Sequence, residues 1–285
     1  MDEVAWLLRP RHEGWVIDGT VGMGGHAEAI LERSGADVRV LGLDVDPVAL
    51  DRARDRLARF GDRARLRRAS FRDLAAVAEA EGMSEARAIV LDLGFSSYQL
   101  DESGRGFSFL AAGEPLDMRL DPSAHPTAAT LLNELPEAEL ARIIFEHGDE
   151  RHARRIARAI VRRRPLATTG DLVAAVRGAV PREAWSRRLH VATRTFQAIR
   201  MGVNDEPGAL RQALRDAPAL LAAGGRLGCI AFHSGEDRIV KQAFRTLARE
   251  GFAELEPSPL VPGDDEVRAN PRARSAKLRV LERLS

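Results

Sequence analysis

The sequence predicts an α/β fold, an open and mostly parallel sheet whose chain is interrupted by a helical insertion. The first hundred residues alternate short apolar runs with helical patterns, which is typical of βα units and a parallel sheet. Between about residues 100 and 201 the sequence changes to loops followed by helices. Strand patterns return at Arg226–Phe232 and at Lys277–Leu281, which indicates that the chain goes back to the sheet.

Four strands are predicted in the first part of the chain. They are Trp15–Asp18, Val38–Leu43, Arg65–Ala69 and Ala88–Leu93. The last is continuously apolar over Ile89–Leu91, as a strand buried on both faces is. A helix after the first strand is predicted to end at about Arg33. Another runs from Pro47 to about Phe60, because proline suits the first turn of a helix.

Helical patterns dominate the insertion. The predicted helices are Glu137–Glu146, Asp149–Arg164, Asp171–Ala179 and Ala192–Met201. A further long helix is predicted to end at Gly224 and Gly225, just before the strand that follows. We therefore assign residues 1–100 and 203–285 to the sheet domain, and residues 101–202 to an inserted helical domain.

The composition excludes several classes of protein. The chain is 45% hydrophobic and 30% charged, and no apolar run approaches the roughly 18 to 20 residues of a membrane-spanning helix. Met1–Pro10 carries Asp2 and Glu3 where a secretory signal has basic residues. The single cysteine, Cys229, excludes an internal disulfide and is consistent with a reducing cytoplasm. The seven histidines form no H-E-x-x-H or comparable spacing, so no metal site is predicted.

A glycine-rich turn after the first strand predicts a nucleotide-type site. Its glycines are Gly19, Gly22, Gly24 and Gly25. Asp44, at the end of the next strand, is placed to accept hydrogen bonds from both hydroxyls of a ribose, and Asp18 is placed to hold the turn. The turn is not G-x-G-x-x-G, which argues against a dinucleotide and favours an adenosine ligand without phosphate, such as S-adenosylmethionine. The alternative is a tight βα turn that binds no ligand.

Polar residues follow the fourth strand, at the edge where open α/β sheets bind ligands. Asp92 begins this segment, which ends in two serines. An acid here is able to contact the cofactor or to accept a hydrogen bond from an incoming amine, and the alternative is that Asp92 caps the following helix. Phe71, after the third strand, is placed to cover an adenine ring, with a core phenylalanine as the alternative.

A third polar cluster follows the strand at Arg226–Phe232. It contains His233, Ser234, Glu236 and Asp237. Histidine, serine and acids together raise a hydrolase interpretation. No G-x-S-x-G elbow precedes any serine, however, and one histidine beside two acids is more often a hydrogen-bonded loop than a catalytic triad.

Arginine carries almost all of the positive charge. Only Lys241 and Lys277 are lysines among 43 basic residues, in a chain whose net charge is +1. Codon bias in a GC-rich genome explains that composition. From Phe145 to Arg200, however, 13 arginines stand against 5 acidic residues, and this local excess predicts a polyanionic partner.

The predicted helix at Asp149–Arg164 has two different faces. Its arginine face comprises Arg151, Arg154, Arg155, Arg158 and Arg162, which fall within about 60° of one direction. Its opposite face comprises Ala153, Ile156, Ala157 and Ile160. A guanidinium stripe suits phosphate contacts and stacking on RNA bases, and the alternative is an ordinary solvated face. Arg187, Arg188, Arg194 and Arg200, in the same insertion, favour RNA binding.

Segments along nearly the whole chain resemble, in order, those of the bacterial ribosomal RNA small subunit methyltransferase H family. They are Asp18-Gly19-Thr20, Gly24-Gly25-His26, Asp44-Val45-Asp46-Pro47, the segment from Asp92 to Asp101, Arg105-Gly106-Phe107-Ser108-Phe109, Pro115-Leu116-Asp117-Met118-Arg119, Ala192-Thr193-Arg194-Thr195-Phe196-Gln197, Phe232-His233-Ser234, the segment from Glu236 to Lys241, and Arg272-Ala273-Arg274-Ser275. Several of these strings are long, so the resemblance is highly specific.

The resemblance implies a class I, Rossmann-like S-adenosylmethionine methyltransferase with a helical substrate-recognition insertion. It implies methyl transfer to the exocyclic N4 amine of a cytidine in the decoding region of 16S rRNA. The implied partner is 16S rRNA or the 30S subunit, and a homodimer stays open. By motif position, the cofactor contacts fall on Gly24, Gly25, His26, Asp44, Phe71, Asp92 and Gln99. Among these, His26 and Gln99 come from the resemblance alone.

The chain departs from the family pattern in three places. It starts just after the usual His-x-Pro-Val-Leu-Leu segment, so we expect either a start placed too late or a site that lacks part of its cover. Gly235 stands where the family has leucine, and Val191 stands where it has proline after His190. These two changes are expected to loosen loops without removing a polar group.

Within the implied reaction, Asp92 is hypothesised to accept a hydrogen bond from the amine. His233 and Asp237 are candidates for orienting the base or relaying its proton. Two other functions stay open. A nicotinamide-dependent oxidoreductase is disfavoured by the absent G-x-G-x-x-G, whereas a non-catalytic rRNA-binding or assembly factor would retain the same fold.

Overall fold

The computed structural model describes residues 13–186 and 189–284, which divide into two compact units. The first unit is formed by the chain up to Gly94 and from Pro207 onward, and the second by Phe95–Glu206. In the described chain, all extended strands lie in the first unit, and the second consists of helices and loops. The predicted borders, at residues 101 and 202, fall inside the second unit, a few residues from its ends.

The first unit is built on a seven-stranded sheet. Its strands are β1 (Glu13–Asp18), β2 (Asp37–Asp44), β3 (Ala64–Arg68), β4 (Ala86–Asp92), β5 (Leu221–Ala231), β6 (Phe252–Glu254) and β7 (Lys277–Arg283). The spatial order is β3-β2-β1-β4-β5-β7-β6. The strands from β3 to β5 run parallel, and β7 pairs antiparallel with both β5 and β6. The predicted α/β class with a mostly parallel sheet is confirmed.

Helices surround the sheet and form the second unit. They are α1 (Gly25–Arg33), α2 (Pro47–Leu57), α3 (Leu74–Ala80), α4 (Ser97–Asp101), α5 (Ala128–Glu134), α6 (Glu137–Gly148), α7 (Ala153–Arg163), α8 (Thr169–Ala179), α9 (Thr193–Asn204), α10 (Glu206–Leu220), α11 (Ser234–Leu247) and α12 (Asp264–Ala269). In the described chain, no helix combines the length and the hydropathy needed to cross a membrane.

Both faces of the sheet are buried, and successive side chains along each strand point to opposite faces. Ile17 and Ile89 pack in one apolar cluster with residues of α3, α10 and α11. Val16 and Val90, one position away on the same strands, pack in another cluster with residues of α1 and α2. This two-sided burial accounts for the continuous apolar runs that predicted β1 and β4.

Strand β5 contains a buried cysteine and a pair of glycines. Cys229 is fully buried in it, opposite Leu91 of β4 and Arg279 of β7, and burial raises the pKa of its thiol. Gly224 and Gly225 lie within β5, so the prediction that they end a helix is wrong. A Cβ at Gly225 would lie 2.8 Å from the Ala222 carbonyl oxygen, so this glycine permits a close backbone approach where the pairing of β4 with β5 shifts register. Gly224 has a φ of 69°, a conformation that favours glycine.

The second unit has its own apolar core. Ile144 of α6, Ile156 and Ile160 of α7 and Phe196 of α9 are buried together in it. At Gly148 a Cβ would lie 2.5 Å from the Arg194 carbonyl oxygen, so a glycine lets the end of α6 approach α9. The core confirms that α7 buries its predicted apolar face.

The start of α7 was predicted too early, at Asp149. Asp149 has a φ of 49°, which is a left-handed conformation that ends α6. The Glu150 carboxylate then accepts a hydrogen bond from the His152 backbone N–H at 2.8 Å. These local bonds form a turn, and α7 begins at Ala153.

Candidate active site

Parallel strands bring their carboxyl ends to one edge of the sheet in the first unit. Backbone hydrogen bonds join the loops there. Gly19 N–H donates to the Val90 carbonyl at 2.9 Å, and Leu93 N–H donates to the Ile230 carbonyl at 3.0 Å. The predicted residues that follow these strands are Asp18, Asp44, Asp92 and His233.

The glycine turn after β1 lies close against its neighbours. At Gly19 a Cβ would lie 2.6 Å from Leu91 Cδ2 and 3.2 Å from Phe71 Cβ. Gly24 has a φ of 85° as the N-cap of α1, a conformation that favours glycine. Gly25 begins α1, where backbone N–H groups lack intrahelical partners. The turn therefore places unpaired backbone donors at the sheet edge.

Phe71 is half-buried beside this turn. It begins a short 3₁₀ turn, Phe71–Asp73, whose N-cap is Ser70. The ring packs against the apolar cluster that contains Ile17 and Leu91. Its position next to Gly19 suits both roles weighed from the sequence, so the adenine contact stays a prediction.

Asp44 is held by two backbone amides. Its Oδ2 accepts from Gly22 N–H at 3.0 Å, and its Oδ1 accepts from Asp46 N–H at 2.9 Å. Burial raises the pKa of Asp44 to about 6, although these two hydrogen bonds act in the opposite direction. Asp46 in turn caps α2 through a bond from Val48 N–H. The carboxylate is thus fixed, and each of its oxygens keeps a lone pair for a further donor.

Asp18, His26 and Asp92 form a linked cluster. His26 Nε2 lies 3.2 Å from Asp92 Oδ2, within hydrogen-bond distance. Thr20 connects the two acids, because its N–H donates to Asp18 Oδ1 and its Oγ1 accepts from Asp92 N–H at 2.6 Å. Among the described residues, Asp18 Oδ2 and Asp92 Oδ1 are buried and have no hydrogen-bond partner. Two acceptor oxygens are therefore available for donors that the chain itself does not supply.

The charges of this cluster shift each other's protonation. Burial raises the pKa of Asp18 to about 7, with smaller upward contributions from Asp92 and Asp44 and an opposing one from His26. Burial works against the charged form of His26, but the hydrogen bond to Asp92 and the charges of Asp92 and Asp18 raise its pKa overall. Asp18 therefore changes its protonation state closer to neutral pH than a free carboxyl group does.

The alternative that Asp92 caps the following helix is wrong. Ser96 is the N-cap of α4, and its Oγ accepts from Gln99 N–H at 3.2 Å. Gln99 Oε1 accepts from Ser96 N–H at 2.8 Å, which completes a capping box. Gln99 belongs to the second unit, and its predicted cofactor contact stays a prediction.

His233 is the N-cap of α11. Its Nδ1 accepts from the backbone N–H groups of Gly235 at 3.2 Å and Glu236 at 3.3 Å. An Nδ1 that accepts leaves the proton of the neutral ring on Nε2, which lies 3.0 Å from Glu236 Oε1 but out of line for a hydrogen bond. This capping role explains the histidine without a reaction, and its catalytic role stays a prediction.

Asp237 is engaged in ion pairs. Its Oδ1 accepts from Arg279 Nε at 2.8 Å, and its Oδ2 accepts from Lys277 Nζ at 3.0 Å. Burial opposes the charged form, but the hydrogen bonds from Arg279 and Lys277 hold the pKa of Asp237 below its usual value. A low pKa makes the carboxylate a weak base, so the proton relay proposed for Asp237 stays a prediction with no geometric support.

The arginine face of α7 is exposed. Arg158 lies 3.5 Å from Glu137, and Arg194 donates from Nη1 to the Asp149 carbonyl at 3.2 Å. The other members of the face, Arg151, Arg154, Arg155 and Arg162, have no ion pair or hydrogen bond to the described residues. The predicted Arg187 and Arg188 lie outside the described residues.

Arg200, predicted to favour RNA binding, is instead a buried structural residue. Its guanidinium donates to both carboxylate oxygens of Glu206 at 2.8 Å. It also lies over the ring of Phe95, 4.5 Å from the centroid. A guanidinium so enclosed is not available to a phosphate. The sequence shows the charge of Arg200 but not the partner that neutralises it, which is why the prediction was wrong.

The sequence model of the MraW methylase family matches residues 1–284. The chain belongs to this family. The similarity to methyltransferase H sequences described above is confirmed by named relatives. Ribosomal RNA small subunit methyltransferase H of Heliobacterium modesticaldum is 48% identical over 304 residues, covering 100% of this chain and 97% of the relative. The protein of that name from Geobacter sulfurreducens is also 48% identical, over 99% of this chain and 96% of its own length.

A solved structure supports the fold of this MraW methylase family member. A protein from Clostridium thermocellum that carries a provisional rRNA-methylase name matches with a TM-score of 0.50 at 12% identity. The match covers 99% of this chain and 96% of that chain. The match agrees with the predicted Rossmann-like α/β fold.

Sequence reasoning missed two residues of this candidate site. Thr20, which joins Asp18 to Asp92, was quoted only as part of a motif. Glu236 was assigned to a polar loop, but its Oε2 accepts from Phe232 N–H at 3.0 Å and so fixes the end of β5. The only signal in the sequence was their position beside strand ends. In the described residues, no group of histidine, cysteine and acidic side chains suits a metal ion.

Proposed function

We propose that the chain transfers a methyl group from S-adenosylmethionine to the exocyclic N4 amine of a cytidine in the decoding region of 16S rRNA. Membership of the MraW methylase family and the names of the relatives support methyl transfer to small subunit rRNA. The observation that carries the proposal is the state of Asp92. One of its oxygens is bonded to His26, and the other is buried and has no partner among the residues that the structure describes.

The residues at the sheet edge fit S-adenosylmethionine. Asp44 keeps lone pairs for two ribose hydroxyls, because its backbone bonds use only one on each oxygen. Asp92 Oδ1, which has no hydrogen-bond partner among the described residues, places an acceptor at the same edge, which suits a ligand that carries a sulfonium. When bound, this cofactor supplies the methyl group as an electrophile, and its sulfur leaves as a neutral thioether.

Asp92 has the geometry to prepare the amine. A cytosine amine is a poor nucleophile because its lone pair is delocalised into the ring. If Asp92 Oδ1 accepts a hydrogen bond from the N4–H, the nitrogen becomes pyramidal and its lone pair is directed at the methyl carbon. On methylation the nitrogen would lose its proton, and Asp92 Oδ1 would be the acceptor placed to take it. His26 holds the second oxygen of Asp92 in place during this step.

The exposed arginines support a polyanionic substrate. Arg154, Arg155 and Arg162 of α7 have no partner in the described part of the chain and are able to contact phosphates, which dominate the affinity of proteins for nucleic acids. An amine inside a base pair is out of reach of the sheet edge, so the target base has to be unstacked. We expect the protein to act in the cytoplasm, where 30S subunits are made.

The test uses tritiated S-adenosylmethionine and 30S subunits from a strain that lacks the modification. Nucleoside analysis of the 16S rRNA then identifies the labelled base, and we expect N4-methylcytidine. Label in any other nucleoside would contradict the proposed acceptor. Binding of 30S subunits without transfer would favour the rival interpretation, a non-catalytic assembly factor.

Asp92→Asn tests the mechanism separately. We expect turnover to fall by about 10²-fold or more, the range for loss of a positioned acid–base group, while cofactor affinity falls by a much smaller factor. Asp55→Asn, an exposed carboxylate of α2, is the matched control and should leave turnover unchanged. Full turnover in Asp92→Asn with normal cofactor affinity would exclude the role given to Asp92.

A further inference from the structure

Phe145, in the last turn of α6, is an exposed aromatic ring with no role in the site described above. Its exposed fraction is 59%, against 36% for Phe95. Most large apolar side chains of the second unit lie in its core. An exposed aromatic ring offers a flat apolar face on which a ring of a partner is able to stack.

Guanidinium groups lie on the part of the chain next to Phe145. α6 and α7 share the apolar core of the second unit, and Arg158 of α7 lies 3.5 Å from Glu137 of α6. Arg154 lies one turn before Arg158, near the start of α7, and Arg151 lies in the short turn that joins the end of α6 to α7.

A third guanidinium approaches from α9. Arg194 donates to the carbonyl of Asp149, and the N–H of Asp149 donates to the carbonyl of Phe145 at 3.0 Å. Arg194 therefore stands at the end of the helical turn that carries the ring. We call Phe145, Arg151, Arg154 and Arg194 the Phe145 patch.

The charge of the Phe145 patch selects the partner. Arg151 and Arg154 have no acidic partner among the described residues, so their charges are available to an anion. A ring framed by unpaired guanidinium groups matches a nucleotide, which offers a flat base and a phosphate side by side. A base inside a duplex is already stacked on both faces, so only an unpaired base is able to lie on the ring.

We propose that the Phe145 patch binds an unpaired nucleotide of single-stranded RNA, with the base stacked on Phe145 and the neighbouring phosphates on Arg151, Arg154 and Arg194. The proposal deepens the rRNA substrate of the proposed function and rests on it for the identity of the RNA. It assigns to the helical unit a preference for single strands, in addition to the general attraction of its arginines.

The test compares a single-stranded RNA oligomer with the same sequence in a duplex, at several salt concentrations. For Phe145→Ala we expect about a tenfold loss of affinity for the single strand, the scale of one base–aromatic stack, and no change for the duplex. The slope of log affinity against log salt should stay unchanged, because no charge is removed. Phe145→Trp should retain the affinity, and a 2-aminopurine base should be quenched on binding by both the wild type and this variant.

Leu110→Ala is the matched control, since Leu110 is 83% exposed in the same unit but lies outside the Phe145 patch. It should bind both RNAs like the wild type. Equal losses for single strand and duplex in Phe145→Ala, or no loss at all, would overturn the proposal. A loss seen with 30S subunits but not with protein-free RNA would overturn it too, and would indicate a ribosomal protein as the partner.

Failure of this proposal is distinguishable from failure of the proposed function. Methyl transfer to 16S rRNA with no effect of Phe145→Ala on single-strand binding would leave the reaction standing and remove the stacking role. Selective loss of single-strand binding in Phe145→Ala, in a protein that transfers no methyl group, would leave the stacking role standing and remove the reaction.

Discussion

The raised pKa of Asp44 leads to a prediction about cofactor binding. Burial raises this pKa to about 6, and only the charged carboxylate is able to accept hydrogen bonds from ribose hydroxyls on both oxygens. Below pH 6 a proton occupies one of those acceptor positions in the free protein. We expect the affinity for S-adenosylmethionine to fall about tenfold per pH unit below 6, as measured by calorimetry. Asp44→Asn should bind more weakly at pH 8 and lose this dependence. An equally steep dependence in the variant would assign the titration to another group.

Asp18 carries a prediction about stability. Its pKa is raised from 3.8 to about 7 on folding, so the folded chain holds this proton more tightly than the unfolded chain does. Binding of this proton adds to the free energy of unfolding at low pH, and that contribution is lost as the pH rises from about 4 to about 7. The shift corresponds to up to about 4 kcal/mol, and Asp44 and His26 act in the same direction.

Urea unfolding at pH 5 and pH 8 measures this effect. Asp18→Asn should unfold with a flatter pH dependence than the wild type and should be the more stable of the two at pH 8. Asp55→Asn is again the control, and it should follow the wild-type curve. Parallel curves for Asp18→Asn and the wild type would show that the Asp18 proton is not linked to folding.

Among single elements, α11 begins with a residue that has two candidate roles. His233 caps this helix, and it is also predicted to be catalytic. As the N-cap of α11 it accepts two backbone hydrogen bonds, which a serine oxygen is able to replace. We expect His233→Ala to lose about 1 kcal/mol of stability and His233→Ser to lose much less. Turnover in His233→Ser should stay within about threefold of the wild type if capping is the main role. A large loss of turnover in a stable His233→Ser would instead support the catalytic role predicted from the sequence.

The close contact between α6 and α9 depends on Gly148, which has no side chain. A methyl group at Gly148 would lie 2.5 Å from the Arg194 carbonyl, closer than real contacts allow. We expect Gly148→Ala to lower the free energy of unfolding by about 1–3 kcal/mol, the usual cost of overpacking. Gly113→Ala, which adds its methyl group to open space in the same unit, is the matched control. Equal stability of the two variants in thermal unfolding would contradict the contact.

Elements with strong apolar periodicity were predictable, and those specified by local hydrogen bonds were not. β1, β2 and β4 were predicted within a few residues because burial on both faces leaves a plain apolar run. The start of α7 was missed because the bond from His152 to the Glu150 carboxylate has no periodic signature. Gly224 and Gly225 were misassigned for a similar reason, since a glycine pair marks a register shift as readily as a helix end.

For the whole molecule, the site was predictable where backbone geometry demands particular residues. The glycine turn and Asp44 follow from what a βα turn needs in order to approach a ligand. The link from Asp18 through Thr20 to Asp92 was not predictable, because it joins residues more than seventy positions apart through one hydroxyl. The burial of Arg200 was equally hidden, since it depends on how Glu206 and Phe95 fold around it.

For the whole molecule, the rate at which a thiol reagent labels Cys229 reports how often the sheet unit opens. The thiol is the chain's single cysteine, and it is fully buried in β5, so a thiol reagent reaches it only when that unit opens. A ligand that binds only the folded unit lowers the population of the opened unit by a factor of one plus the ratio of ligand concentration to Kd. At a concentration of 100 times its Kd, S-adenosylmethionine should slow the labelling of Cys229 about a hundredfold. Mass spectrometry of the labelled protein then measures cofactor affinity without any need for enzymatic activity, for example in Asp92→Asn.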